Sequence, residues 1–257
     1  MENGHVELYE YLVDTGCRSE FILSLLGQKI VEDGDVIETK DKIVANQGYL
    51  NRKLFYSEGK LLDSDGNAVM MGWETPLMKI HSNIICKKGK KILNVGFGLG
   101  IIDTMIQESE PTLHTIIEAH PDVYQKMVDD GWTTKPNVTV LFGRWQDVLQ
   151  DYQETFDGIF FDTFGEYYDD LHDFHQILPN ILNEDGVYTF FNGLCGTNQF
   201  FHDVSCRIVE LELREIGFNV EFEEVTVDEL GDDVWKDTKR AYWSLPTYRV
   251  PTVTFDF

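Results

Sequence analysis

Three glycines at alternate positions, Gly96, Gly98 and Gly100, interrupt a stretch that reads ILNVGFGLGIID from Ile92 to Asp103. The residues before them are β-prone and those after them have helical periodicity, so the stretch predicts a strand, a tight turn and a helix start. Glycine belongs where the backbone must take positive φ or where a ligand must approach with no Cβ in the way. The helix behind such a turn aims its first N–H groups at whatever lies over it. The chemistry this suits is nucleoside binding. The spacing is G-x-G-x-G, not the G-x-G-x-x-G of dinucleotide turns, which favours one nucleoside over two. The next β-prone run, LHTIIE, ends in Glu118, 18 residues beyond Gly100. An acid at the end of the second strand is where a doubly wound sheet meets ribose hydroxyls. Taken alone, these residues also fit a purely structural turn with Glu118 in solvent.

Other catalytic chemistries lack their residues. There is no G-x-x-x-x-G-K-[ST] phosphate loop, no H-E-x-x-H and no G-x-S-x-G elbow, and the seven histidines show no metal-ligand spacing. A kinase, a zinc enzyme or a serine hydrolase is therefore disfavoured. Cys17, Cys86, Cys195 and Cys206 are far apart and form no C-x-x-C pair, so no metal cluster or disulfide framework is expected and a reducing cytoplasmic or nuclear setting fits them. No apolar run approaches the ~20 residues of a membrane span and no secretory signal opens the chain, so no membrane partner is expected. Forty-five acids against 21 Lys plus Arg leave a net charge of −24. Such a surface repels phosphate backbones, which argues against direct nucleic-acid binding, and attracts a basic protein or peptide. Solubility alone is the other reading of that charge.

The elements that must position these residues alternate. Strands are expected at 92–95, 113–118, 137–142, 156–161 and 186–191, with helices from 99, from 121, around 145, at 169–182 and at 202–216. Two further strands, 218–227 and 248–255, close the chain. This order implies an α/β fold with a largely parallel sheet and an antiparallel pair at its end. Ligands of such sheets lie beyond the carboxyl ends of the strands, here at Gly96 to Gly100, Glu118, Gly143 to Gln146, Asp162 to Phe164, and Asn192 to Gly193. Ahead of the 69–257 domain, residues 29–68 read as a small cap of turns and short strands. Thr75 is placed to cap a helix running to about Cys86, with Pro76 in its first turn. Residues 1–28 open with GHVELYEYLVDTGC, which is similar to the second helix and exit turn of an ankyrin repeat. An ordinary helix ended by glycine is the alternative, since one repeat cannot bury its own face.

The strings VMMGWETPLM, ILNVGFGLGIID, IIEAH, GRWQDV, FDGIFFDTF and FFNGL occur in this order. Together they resemble the S-adenosylmethionine-dependent guanidino methyltransferases: the type IV protein arginine methyltransferases, which modify the internal delta nitrogen of arginine, and guanidinoacetate methyltransferase. The likeness runs from about Tyr49 to the C-terminus and implies a Rossmann-like class I methyltransferase with a seven-stranded, mainly parallel sheet. The ankyrin-like opening favours the protein arginine enzymes. By resemblance, S-adenosyl-L-methionine is the cofactor, with Gly96, Phe97, Gly98, Leu99, Gly100 and Ile101 around its methionine portion and Glu118 on the ribose. The same resemblance puts Ala119 and His120 beside the nucleoside, Arg144 and Trp145 near the adenine, and Asp162 at the floor of the site. Tyr49, Met70 and Met78 close over the cofactor from the cap, although methionines at such spacing also suit a core. Many related enzymes carry an acid two positions before the first glycine; here Asn94 stands there, so the cofactor's ammonium group must rely on carbonyls or another acid.

The resemblance also implies two catalytic carboxylates, Glu74 of the WETP turn and Asp162. Methyl transfer needs a nitrogen lone pair, and a guanidinium, delocalised and with a pKa above ~12, does not offer one freely. Paired carboxylates grip the cation, aim one nitrogen and accept the released proton. Glu74 could also merely complement a helix dipole. The loop Phe191–Gly196 departs from the small-molecule enzyme, whose loop there holds a free carboxylate, and two glycines suit a looser loop that takes a polypeptide. Eight acids between Glu221 and Asp237 could dock a basic protein, by family likeness a ribosomal one, or form a solvated surface. Methylation of a small guanidino metabolite, and a non-catalytic assembly factor on a methyltransferase fold, are the competing readings.

Overall fold

A computed structural model describes residues 48–87, 89–150, 152–164 and 168–256. The ankyrin-like stretch and the start of the expected cap lie outside the described residues. Within the described residues the cap holds three short antiparallel strands, β1 (Leu54–Ser57), β2 (Lys60–Asp63) and β3 (Ala68–Met71), in the order β1-β2-β3. Asp63 makes the β2–β3 turn: its carboxylate accepts the backbone N–H of Asp65 at 2.9 Å and of Asn67 at 2.8 Å, the local bonding that makes aspartate a turn residue. Because β3 pairs with β2, the cap runs on to Met71 and the expected boundary after residue 68 cuts through a strand.

A single 3₁₀ turn (Gly72–Glu74) leads into α1 (Thr75–Ile85), which buries Leu77, Met78, His81, Ser82 and Ile85 along one face. Thr75 does not cap this helix as expected. It is already helical, Glu74 occupies the cap position, and the Thr75 hydroxyl donates instead to the Gly72 carbonyl at 2.7 Å.

Then come β4 (Lys91–Val95), α2 (Ile101–Glu108), β5 (Leu113–Glu118), α3 (Pro121–Asp129), β6 (Val138–Phe142), α4 (Trp145–Val148), β7 (Phe156–Phe161), α5 (Tyr168–Ile181), β8 (Leu182–Phe190), α6 (Gln199–Glu215), β9 (Phe218–Thr226) and β10 (Thr247–Phe255). Seven strands form one sheet in the order β6-β5-β4-β7-β8-β10-β9. The first five are parallel, and β10 runs antiparallel to both β8 and β9. The central strands are mostly apolar on both sides because both faces are covered. Leu93, Val95, Ile159 and Phe161 pack with Phe174, Leu178, Val209 and Leu213 of α5 and α6, whereas Ile92, Ile116 and Phe160 pack with Ile85, Ile102, Ile106 and Val123 of α1, α2 and α3. Strand order reverses between β4 and β7, and that is where a ligand crevice opens.

Candidate active site

The crevice is built on Gly96, which follows β4 at φ 96°. A Cβ there would stand 1.8 Å from the Asp162 carbonyl oxygen. Only glycine therefore lets the ends of β4 and β7 meet, with the Asp162 N–H donating to Val95 O at 2.9 Å. From the other side the cap closes down through Met70, whose sulfur takes the Leu99 N–H at 3.2 Å. Between them lies a cavity. Its walls are Gly96, Phe97 and Gly98 after β4, Ile117, Glu118 and Ala119 at the end of β5, Gly143, Arg144 and Trp145 after β6, Asp162, Thr163 and Phe164 after β7, Val123 of α3, and Tyr49, Leu50, Val69 and Met70 from the cap. Tyr49 is fixed by ring contacts to His120 at 4.9 Å and Phe164 at 4.8 Å.

Glu118 is buried in this wall. Its carboxylate accepts the N–H of Phe97 at 3.0 Å and of His120 at 2.7 Å. Burial pushes its pKa above the usual carboxylate range, and the amides of His120, Phe97, Gly98 and Ala119 work against that shift. A buried acid held by backbone donors beside apolar Ile117, Val123 and Trp145 suits a nucleoside, with the acid for its hydroxyls and the apolar wall for its base. Beneath the glycine turn, Asn94 donates to Gly96 O at 2.9 Å and to the buried Asp103 at 2.8 Å. Asparagine at this position thus ties the turn to α2.

A second, larger basin adjoins the cavity through a shared wall of Tyr49, Val69, Asp162, Thr163 and Phe164, and its own lining includes Glu74, Tyr168, Phe191, Gly193, Leu194, Arg240 and Tyr242. Asp162 therefore faces both compartments, and Glu74 faces the basin alone. Both carboxyls are raised: burial pushes Asp162 up to about 7, and burial together with the charge of Asp162 pushes Glu74 well above its ordinary value. Two acids that resist ionising side by side in a buried wall form a site for a cation, because a cation relieves both the burial cost and the mutual repulsion.

The structure brings Tyr49, Met70, Gly96, Phe97, Gly98, Glu118, Ala119, Arg144, Trp145 and Asp162 around one cavity, and Glu74 with Asp162 around the other. Five expected cofactor residues do not line the cavity. Met78 is fully buried in the core beneath the cap with Leu61 and Phe160, because its position on α1 faces the sheet. Leu99, Gly100 and Ile101 form the far side of the turn and the start of α2. His120 caps α3, its Nδ1 accepting the Asp122 N–H at 3.1 Å, while Nε2 meets the Arg52 carbonyl at 3.0 Å.

Residues that the motifs do not reach complete the site. Tyr242, from the 227–246 loop, donates its hydroxyl to Glu74. His81, pushed down to about 3 by burial, bridges Thr189 at 2.8 Å and the Tyr248 hydroxyl at 3.0 Å. Thr189 donates to the Pro251 carbonyl and Tyr248 accepts the Asn192 N–H at 2.6 Å, so His81 is neutral with its proton on Nδ1. This chain anchors the loop after β8. The loop is not loose, as its glycines suggested: a Cβ on Gly196 would lie 2.3 Å from the Trp243 ring, and Ser244 N–H donates to Gly196 O at 2.9 Å. Among the described residues no helix is long and apolar enough to cross a membrane, and no cluster of His, Cys, Asp and Glu is arranged to hold a metal.

The strand order and switch-point cavity are those of a Rossmann-like fold, and its relatives make the chain a class I S-adenosylmethionine-dependent methyltransferase. Trm5b from Pyrococcus abyssi shares the fold with a TM-score of 0.52 at 13% identity, over 80% of this chain and 56% of that one. A family model described as guanidinoacetate N-methyltransferase matches residues 50–254. Protein arginine N-methyltransferase 2 of Aspergillus oryzae is 38% identical over 289 residues, spanning 96% of this chain and 70% of that protein. The protein of that name from Candida glabrata is 43% identical over 216 residues, spanning 80% of this chain and 52% of its own length. The chain belongs to the protein arginine N-methyltransferase 2 family, within the guanidinoacetate N-methyltransferase-like group.

Proposed function

We propose that the chain methylates the internal delta nitrogen of arginine in a basic protein, a ribosomal protein being the first to test. One observation carries this reading: Asp162 faces both the donor cavity and a basin that also holds Glu74. S-adenosyl-L-methionine would be held by Gly96–Gly98, Glu118, Ala119, Arg144 and Trp145 of the cavity wall, and when bound it would supply an electrophilic methyl group. Glu74 and Asp162 take N–H groups of the guanidinium and hold its plane. Asp162, at the shared wall, accepts the proton from the nitrogen nearest the donor, and its raised pKa suits a general base working near neutrality. Glu74 is the charge anchor. Positioning of this kind accounts for ~7–11 kcal/mol of a barrier.

A polypeptide substrate is supported by the openness of the basin and by the acids beside it. Exposed Glu221, Glu223 and Glu224 lie on β9, the edge strand, and exposed Asp228, Glu229, Asp232, Asp233 and Asp237 continue along the loop that brings Arg240 and Tyr242 into the basin. This acidic track steers a basic partner and disfavours nucleic acid. Free Cys86, Cys195 and Cys206 fit the cytoplasm or nucleus. A small guanidino acid is the second reading, favoured by the family model matched at residues 50–254. Labelled S-adenosylmethionine is incubated with a basic ribosomal protein fraction and, separately, with guanidinoacetate. Label in protein arginine, with fragment ions of an internally methylated side chain, is the expected result. Label in guanidinoacetate alone would replace the proposal with the second reading.

A further inference from the structure

We infer that Tyr242 is a positioning residue that occupies one oxygen of Glu74, so that only the other oxygen is open to the acceptor; the inference rests on the guanidino reading above. Glu74 Oε1 receives two donors already. The Met71 backbone N–H reaches it at 3.3 Å and the Tyr242 hydroxyl donates to it. A carboxylate oxygen has two lone pairs, so Oε1 is filled. The hydroxyl is itself held, since the Trp73 indole N–H donates to the Tyr242 oxygen at 3.0 Å and the two rings lie 5.8 Å apart. With that oxygen accepting from Trp73, its own proton is directed to Glu74. Trp73 in turn contacts the rings of Trp235 at 6.1 Å and Trp243 at 6.3 Å.

Two consequences follow for the substrate. Glu74 cannot offer both oxygens to a guanidinium fork, so it takes the cation through Oε2 alone and leaves another N–H for Asp162. The fixed donor also favours the ionised form of Glu74 against its burial. The titratable and charged groups around the pair are Tyr242 and Tyr248 beside the carboxyls, with Tyr168, Arg52 and Arg240 elsewhere on the basin wall. Only Tyr242 is hydrogen bonded to Glu74 among these.

The test is Tyr242→Phe, which keeps the ring and removes the hydroxyl, with Trp73→Phe as a second variant that removes the hydroxyl's own donor and part of the ring packing around it. Kinetics are read over pH 6 to 9.5, and the titration of the two carboxyls is read independently by ¹³C-carboxylate NMR on the protein without acceptor. Tyr242→Phe is expected to lower kcat/KM for the acceptor about 10- to 100-fold at neutral pH, the worth of one hydrogen bond to a charged group. The loss should shrink as pH rises, the acid limb should move to higher pH, and donor affinity should stay within about twofold. The NMR titration should shift upward whether or not any tested guanidino compound is methylated, which separates failure of this inference from failure of the proposed function. An unshifted titration, or a loss of kcat/KM equal at every pH, would reduce Tyr242 to packing and overturn the inference.

Discussion

Asp162 is where the proposed chemistry is most exposed to experiment. Its carboxyl is pushed from an ordinary 3.8 to about 7 by burial, a cost of ~4 kcal/mol for holding the charge with no cation present. A folded-state pKa above the unfolded one gives stability that is complete below about pH 4 and is lost as pH rises through 7. The protein without acceptor should therefore lose up to ~4 kcal/mol between pH 4 and 8 through this group, and Asp162→Asn should flatten that slope. Acceptor binding reverses the cost, because a guanidinium between the carboxyls favours both in ionised form. Calorimetry of acceptor binding in two buffers of different ionisation enthalpy should report net proton release at pH 6, falling as pH rises further. For the wild type, kcat/KM should drop about tenfold per pH unit below that limb, and Asp162→Asn should cost about 10²- to 10⁴-fold in kcat. Acceptor binding at pH 6 with no proton release, or full activity in Asp162→Asn, would refute the paired-carboxylate mechanism.

Two further outcomes test the donor side. Gly96→Ala would drive a methyl into the Asp162 carbonyl at a backbone angle that glycine alone takes easily; it should cost roughly 3 kcal/mol or more of stability, read by urea denaturation, and abolish donor binding. Glu118→Gln replaces an oxygen that accepts a backbone N–H by an amide that cannot. Donor affinity by calorimetry should fall about 10- to 100-fold, with the melting temperature lowered far less than in Gly96→Ala.

The sheet was legible because its strands announce themselves. Runs such as Ile116-Ile117 and Ile159-Phe160-Phe161 are apolar on both faces, and the helices between them have the right length for crossovers. The glycine turn and the place of Glu118 in the cavity wall were legible for a related reason, since a tight turn leaves few residue choices and a ligand crevice lies beyond the strand ends. Met70 and Met78 show where that ends. Both sit in apolar stretches near the cap, yet one lines the cavity and the other is core, and only the direction of α1 over the sheet separates them. Tyr242 was out of reach altogether: it meets Glu74 across 168 residues of sequence, and no local pattern encodes such a contact. A polar His81 on the buried face of α1 was a signal that could have been read, because a buried histidine must find partners. Its partners, Thr189 and Tyr248, lie on β8 and β10, so their identity came only with the fold.

In the proposed mechanism the same carboxyl pair links binding, proton removal and release into one cycle. With no acceptor, burial and mutual repulsion favour a proton on the pair. Acceptor binding expels it, leaving a charged pair around a cation. Methylation returns a proton to Asp162, which brings the pair back to the singly protonated form that its burial prefers. A methylated guanidinium then faces one remaining charge where the incoming acceptor faced two, so the product is held less tightly than the substrate. Weaker burial of Asp162 would make it a poorer base, and a stronger bond to Glu74 would keep the product. The buried wall between the two compartments sets both terms at once, and Tyr242, by filling one oxygen of Glu74, limits how firmly the product is gripped.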